Sequence, residues 1–250
     1  MQIIDTHAHI DQLEDLGGAL QRAHGAGVTD IVAVSVDLTS MRKILDIAQN
    51  HSQPKIHPAL GIHPGTIKPE EQLQAFDFIR AHIAQAIAVG ETGLDYWYKW
   101  VRKDMAERKK QQDSFEMHLQ MAREFNLPII IHSRGAERDC LAMTQSAGVS
   151  KALFHWYSGS VDILEQILNA GYYVSTSPSV AYSEPSRQAM ARAPLDRILI
   201  ETDAPVRYSD FLAEPKDVVR TLKALADLKN TDEQTVLTQV NQNARDFFTV

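Results

Sequence analysis

The chain has 250 residues, 44% hydrophobic and 23% charged, with a formal net charge of −7 and a single cysteine, Cys140. That length and balance describe a globular chain with a large core and exclude an intrachain disulfide framework or a cysteine-rich zinc site. The acidic balance argues against a protein that coats nucleic acid, which needs Lys and Arg against phosphates, and no apolar run approaches the roughly 20 residues of a membrane span.

Met1-Gln2-Ile3-Ile4 passes straight into an apolar strand with no basic, leader-like start, so a reducing, cytoplasmic setting is expected. Strand-like runs lie at 3–9, 29–36, 55–63, 87–95, 128–132, 152–157, 172–177 and 197–203. Ile31-Val32-Ala33-Val34, Ile129-Ile130-Ile131 and Ile198-Leu199-Ile200 lack strict polar alternation, as expected of strands covered on both faces. Helical patterns lie at 39–50, 70–85, 105–125, 161–169 and 216–229. Thr231-Asp232-Glu233-Gln234 has the form of a capping box opening a last helix to Phe248. Eight strands separated by helices, with no linker of low complexity, predict one α/β domain over 1–250, a (β/α)8 TIM barrel. A doubly wound open sheet is the alternative, but the Gly-rich phosphate loop that usually follows its first strand is missing.

In such a barrel the C-terminal strand ends carry the chemistry. Those ends hold His7 and His9, His63, Glu91, His132, His155 and Asp203. Alternation along a strand sets His7 and His9 on one face, with Asp5 sharing their parity; it likewise groups Val89, Glu91, Gly93 and Asp95, and Leu199, Glu201 and Asp203. The four imidazoles of His7, His9, His132 and His155 with the carboxylates of Glu91 and Asp203 exceed the needs of one tetrahedral zinc. They suit two cations about 3.5–4 Å apart with a carboxylate between them. The plainer reading of His7 and His9 is a pair of hydrogen-bonded barrel histidines. Asp5 is either a ligand or a hydrogen-bonding partner that orients one. His63 either touches substrate or anchors its loop. His57, at the start of the third strand, and His24, His51, His82 and His118, within or at the ends of helices, are read as structural.

Asp5-Thr6-His7-Ala8-His9, Gly61-Ile62-His63-Pro64, Gly90-Glu91-Thr92-Gly93-Leu94-Asp95, Pro128-Ile129-Ile130-Ile131-His132-Ser133-Arg134, Phe154-His155-Trp156-Tyr157-Ser158-Gly159 and Glu201-Thr202-Asp203-Ala204-Pro205 occur in this order. Together they resemble the TatD-like metal-dependent hydrolases, commonly described as TatD deoxyribonucleases, and the resemblance runs on to Asn243 and Phe247-Phe248. It implies a TIM barrel with a two-metal site: His7, His9, Glu91 and Asp203 around one ion, and Glu91, His132 and His155 around the other, with Glu91 bridging. Three departures fall on the rim: Trp156-Tyr157 where the family often has Cys and Phe, Gly65 where a second His often follows His-Pro, and Ala213-Glu214-Pro215 without a preceding Asn.

After Asp95 comes Tyr96-Trp97-Tyr98-Lys99-Trp100-Val101-Arg102-Lys103 and then Arg108-Lys109-Lys110, six basic residues between 99 and 110 against Asp104 and Glu107. Following the fourth strand, this stretch emerges on the catalytic face, where aromatics beside cations stack bases at about 1–3 kcal/mol each. The alternative is a solvated helix start with its aromatics packed beneath the loop. The expected activity is hydrolysis of a phosphodiester. Water made acidic by two divalent metal ions attacks phosphorus in line, with Asp203 as proton acceptor and Glu91 as shared ligand. Glu201 orients the water or backs a ligand; Arg134 or His63 holds the phosphate; and Tyr96, Trp97, Lys99 and Arg102 contact DNA, trimmed from single-stranded ends. Mixed nitrogen and oxygen ligation suits zinc, manganese, iron or nickel better than magnesium. An amidohydrolase-type enzyme and a metal-holding binding module are the alternatives. Neither membrane association nor an obligate protein partner is expected.

Overall fold

A computed structural model describes residues 2–249. Eight parallel strands pair in sequence order: β1 (Ile3–Ala8), β2 (Val28–Val34), β3 (Lys55–Leu60), β4 (Ala88–Gly93), β5 (Ile129–His132), β6 (Ala152–Phe154), β7 (Tyr173–Thr176) and β8 (Ile198–Ile200). Between them run α1 (Leu16–Gly25), α2 (Leu38–Asn50), α3 (Pro69–His82), α4 (Met105–Glu124), α5 (Glu137–Ala147), α6 (Val161–Asn169) and α7 (Glu184–Arg192). A short hairpin, β9 (Arg207–Tyr208) and β10 (Phe211–Leu212), leads to α8 (Val218–Lys229) and α9 (Glu233–Phe248). The expected TIM barrel is the fold. Among the described residues no helix is long and apolar enough to cross a membrane.

Both faces of the strands are covered, which explains their unbroken apolar runs. Ile4, Val32, Ala59, Ile130 and Leu199 meet inside the barrel, where Phe247 and Phe248 of α9 close its lower end. Ile3, Ile31, Val89, Ile129 and Ile198 pack outward with helix residues. Asn241 of α9 accepts the Ile4 N–H (3.3 Å) and donates to the Gln2 carbonyl (2.7 Å), while Asn243 donates to the Leu195 and Ile198 carbonyls (both 2.8 Å). The last helix thus satisfies backbone groups beneath β1 and β8. It starts one residue later than the capping pattern suggested, because the Asp232 side chain is the cap and accepts the Thr235 N–H at 2.8 Å.

Regular pairing stops short of several apolar runs. β3 ends at Leu60 and β8 at Ile200, so 61–63 and 201–203 leave the ladder and form the mouth. Closure of the barrel comes at this level. Ala8 bridges Ala204, the Asp203 N–H donates to the His7 carbonyl (2.9 Å), and the His9 N–H donates to the Ala204 carbonyl (2.7 Å). Asp5, fully buried, fixes that seam by accepting from the Thr202 N–H (2.9 Å) and pairing with its hydroxyl (2.6 Å).

Removing the Asp5 carboxylate leaves the Thr202 N–H without its acceptor and the Thr202 hydroxyl with only the Ala204 N–H (3.2 Å) as partner, and an unpaired buried polar group costs about 1–3 kcal/mol. Urea unfolding of Asp5→Ala should show a loss of at least that order. Asp5→Asn, which can accept from the N–H and donate to the hydroxyl, should lose less. Equal stability of Asp5→Ala and the parent chain would show that the seam closes without this pair.

Candidate metal centre and its cavity

Simple alternation does not place the site residues. On β4, Val89 packs outward among helix residues, so strict period two would send Glu91 the same way. Instead the β4–β5 register shifts between Val89 and Thr92, and Gly90 takes φ 152°, a region open to glycine. A Cβ at Gly90 would lie 2.8 Å from the Ile130 Cβ and 2.9 Å from its carbonyl oxygen. The irregularity turns Glu91 into the mouth. A second shift, between Asp5 and Ala8 on β1, separates Asp5 from His7: Asp5 faces Thr202 while His7 and His9 face Glu91. Of its two readings, Asp5 fits the hydrogen-bonding one. Asp203 reaches the mouth from a left-handed backbone, φ 50°, strain of the sort that clusters at functional sites.

The two oxygens of Glu91 serve separate groups. Oε2 lies 3.5 Å from His7 Nε2 and 3.4 Å from His9 Nε2, and Asp203 Oδ1 lies 3.4 and 3.3 Å from the same nitrogens. These edges match a tetrahedron of ligands about 2.0–2.1 Å from a common centre. Oε1 lies 2.9 Å from His132 Nδ1 and 2.8 Å from His155 Nε2, which are 3.4 Å from each other.

The outer nitrogens show which way the lone pairs point. His9 Nδ1 faces the Val34 carbonyl (3.2 Å), His132 Nε2 faces Asp95 (3.1 Å) and His155 Nδ1 faces Glu201 (3.2 Å). Each acceptor holds a proton on the far nitrogen, so the near nitrogens of the neutral rings aim lone pairs at carboxylate oxygens. That convergence is repulsive unless positive charge lies between. Both ring nitrogens of His7 and Oδ1 of Asp203 are buried with no hydrogen bond among the described residues. His7, His9 and Asp203, and likewise His63, Glu91 and His132, have ligand atoms close enough to share an ion. The donor set therefore fits divalent metal.

Titration tells the same story in protons. Burial alone would lower His9, but Asp203 and Glu91 more than reverse it and bring it up to about 10. Burial opposes the charge on His155 and His132 too, yet Glu91 and Glu201 hold the first well up, and Asp95 and Glu91 raise the second. Glu91 is driven well below the usual carboxylate range, because His155, His63 and His132 outweigh its burial. His63 is pushed down to about 3 by burial. Its Nδ1 accepts the Gly65 N–H (2.9 Å), so the proton sits on Nε2, 3.7 Å from Glu91 Oε1.

The cluster lies in a cavity of about 450 Å³ whose lining includes His9, His63, Glu91, His132, Arg134 and Asp203. Arg134 leans over the Trp97 ring at 5.4 Å and has no ion pair among the described residues. The ring packs against Gly135, where φ is 66° and a Cβ would come within 2.3 Å of the indole.

Several expected contacts fall elsewhere. Glu201 is fully buried, held against His155 and the Ser175 hydroxyl, so it backs an imidazole and cannot touch substrate. Tyr96 is also buried, its hydroxyl on Asp139 and Gln112 and its ring under Arg108, and it offers no face to a base. Of the six basic residues, Lys109 and Lys110 pair with Asp113 and Glu107 on α4, and Arg108 donates to the Arg102 carbonyl. Lys99, Arg102 and Lys103 make no ion pair among the described residues and follow a Trp97 that is 61% exposed; Arg102 lies 6.0 Å from its ring. None of these four lines the cavity.

Asp95, grouped with Glu91 by alternation but given no role in the sequence reading, is a further partner. It grips both His132 and the Trp97 N–H (2.8 Å), and its place four residues beyond Glu91 was the available signal. The serine-rich stretch after β7, also overlooked, contributes Ser179, Ser183 and Ser186 to the cavity. At the departures, Tyr98 occupies the space beside Gly65, where a Cβ would meet its hydroxyl at 2.5 Å, and Glu214 clasps Arg22 of α1 at 2.8 and 2.9 Å.

Residues 4–249 match the family model described as TatD related DNase. The chain is 27% identical to human deoxyribonuclease TATDN3, over 98% of this chain and 94% of that one. It is 30% identical to the uncharacterized metal-dependent hydrolase YjjV of Escherichia coli, over 100% and 98% of the two chains. The crystal structure of YjjV, a TatD homologue from E. coli, superposes with a TM-score of 0.89 at 26% identity, covering 99% of this chain and 98% of that one. The chain belongs to the TatD family of metal-dependent hydrolases.

Proposed function

We propose that the protein is a phosphodiester hydrolase that trims single-stranded DNA ends. The observation that carries this reading is Glu91, whose two oxygens face two sets of imidazoles within one cavity. Support also comes from the deoxyribonuclease described for a relative, and from a basic, aromatic loop beside the cavity of an otherwise acidic chain.

His7, His9, Glu91 and Asp203 would hold one divalent cation, and Glu91, His132 and His155 a second. Bound there, cations would polarise phosphoryl oxygens and make a nearby water acidic. The protein's own groups do the rest. The Asp203 carboxylate turns Oδ1 toward His7 and His9 and lines the cavity wall, and its other oxygen accepts the proton of the attacking water. The Nε2–H of His63 points into the cavity as a neutral donor to a phosphoryl oxygen. Arg134, steadied on Trp97 and without an ion pair among the described residues, binds a phosphate at the rim. Glu201, Asp95 and the Val34 carbonyl keep three imidazoles in the tautomer that presents a lone pair inward.

Glu91→Gln should lower bound divalent metal, measured by atomic emission, together with turnover; full metal content in that variant would remove Glu91 from its shared role. Asp203→Asn should cut turnover by about 10²–10⁴-fold, the range for loss of a general base, and an unchanged rate and pH profile would take Asp203 out of the chemistry. Replacing Lys99, Arg102 and Lys103 together by Ala should weaken binding of end-labelled single-stranded DNA far more than it slows a small diester. The salt dependence of binding should become shallower by about 0.7 in log–log slope per lost phosphate contact. Efficient internal cutting of closed circular DNA would contradict end trimming.

A further inference from the structure

Beyond the imidazoles and carboxylates, one arm of the cavity lining comes from the segments that follow β6 and β7. Its walls are Trp156, Ser158, Ser179, Tyr182, Ser183 and Ser186. Trp156 is held rigidly: its backbone sits at φ 41°, uncommon for so bulky a residue. Its N–H donates to the Ser175 hydroxyl (3.0 Å) and its indole Nε1–H to the Ser179 hydroxyl (2.8 Å). Ser179 is in turn linked to the Ser177 (2.9 Å) and Ser186 (3.4 Å) hydroxyls. The other walls are unengaged. Tyr182 is 56% exposed, and the side-chain hydroxyls of Ser158, Tyr182 and Ser183 make no hydrogen bond among the described residues.

The chemistry of this arm differs from that of the cluster. Its walls carry no lysine or arginine; outside the cluster, the charged residues in the cavity lining are Arg134 and the carboxylate Glu137. A phosphate would find positive partners only at the cluster and Arg134. Aromatic rings and free hydroxyls suit an uncharged ring joined to a sugar. We infer that the arm is a nucleoside subsite, receiving the base and sugar of one terminal nucleotide while the scissile phosphate lies against the Glu91 cluster; this rests on the phosphodiesterase reading above. The whole cavity, about 450 Å³, lies toward the small end of the roughly 300–1,000 Å³ typical of ligand sites. It has room for one such unit, so a strand enters by its end.

The test uses metal-loaded enzyme with Tyr182→Ala and Ser183→Leu, which open and fill the arm at positions without side-chain hydrogen bonds. Two diesters are compared, thymidine 5′-(p-nitrophenyl phosphate) and methyl p-nitrophenyl phosphate, with calorimetric binding of thymidine monophosphate and of inorganic phosphate alongside. Both variants should lower kcat/KM for the thymidine diester roughly tenfold more than for the methyl diester, the scale of one lost stacking contact. They should weaken thymidine monophosphate binding by a similar factor relative to inorganic phosphate. An equal effect on both diesters overturns the subsite. Hydrolysis of neither diester by the parent enzyme would sink the phosphodiesterase reading instead. In that event calorimetry still decides the arm: thymidine monophosphate bound no more tightly than inorganic phosphate overturns it, and tighter binding lost in the two variants upholds it.

Discussion

The seam between β1 and the segment after β8 is the constraint on which the rest depends. A parallel barrel must bring its first strand against its last, and here the pairing is narrow: one bridge, two backbone hydrogen bonds, the Thr6 hydroxyl donating to the Ile200 carbonyl (2.9 Å) and the buried Asp5–Thr202 pair. His7 and His9 leave one side of that seam and Asp203 the other. Their spacing is therefore a property of barrel closure. Asp203 Oδ1 is held 3.4 and 3.3 Å from the His7 and His9 nitrogens by segments anchored directly at the strand ends, which position donors more precisely than free loops do.

Around that seam, the fold repeatedly spends polar groups on orientation. Asp95 and Glu201 touch the outer nitrogens of two imidazoles, behind the ring nitrogens that face Glu91. Glu201 is further held by the Ser175 hydroxyl and sits wholly out of solvent. Anionic support behind a ring raises its basicity and fixes its plane. Asp95 extends the chain of contacts outward, since it also takes the N–H of Trp97, whose ring supports Arg134. The rim cation and the interior imidazole are thus positioned through one carboxylate.

Much of this was legible in the residues. Eight apolar runs, six of them carrying His, Glu or Asp toward their C-terminal ends, identified the strands and the face they serve, because a doubly covered strand can carry such groups only where it leaves the core. Side-chain direction was legible less often. Val89 and Glu91 share parity but face opposite ways, as do Asp5 and His7, since a one-residue shift in a ladder reverses everything beyond it. Glu201 and Tyr96 were placed by sequence near the right end of the barrel, but depth is set by neighbours far along the chain: Ser175 and His155 for one, Asp139 for the other. The serines after β7 had no periodic signature, and only the folded loop shows that three of them share a wall with Trp156.

One shared carboxylate has a thermodynamic consequence. If each oxygen of Glu91 belongs to a separate donor set, neither set can be filled without altering the other's charge and geometry. Occupancies of the two positions are then linked, and the linkage is reciprocal: whatever factor the first ion applies to the second, the second applies to the first. Its sign follows from two opposed effects. A first cation pins the Glu91 side chain and so removes an ordering cost for its neighbour, while its charge repels the newcomer across a few ångströms. With Asp203 and the buried Glu201 adding negative charge nearby, the site can offset part of that repulsion, so the stoichiometry found at a given metal concentration reports the balance of these effects as well as the strength of either position.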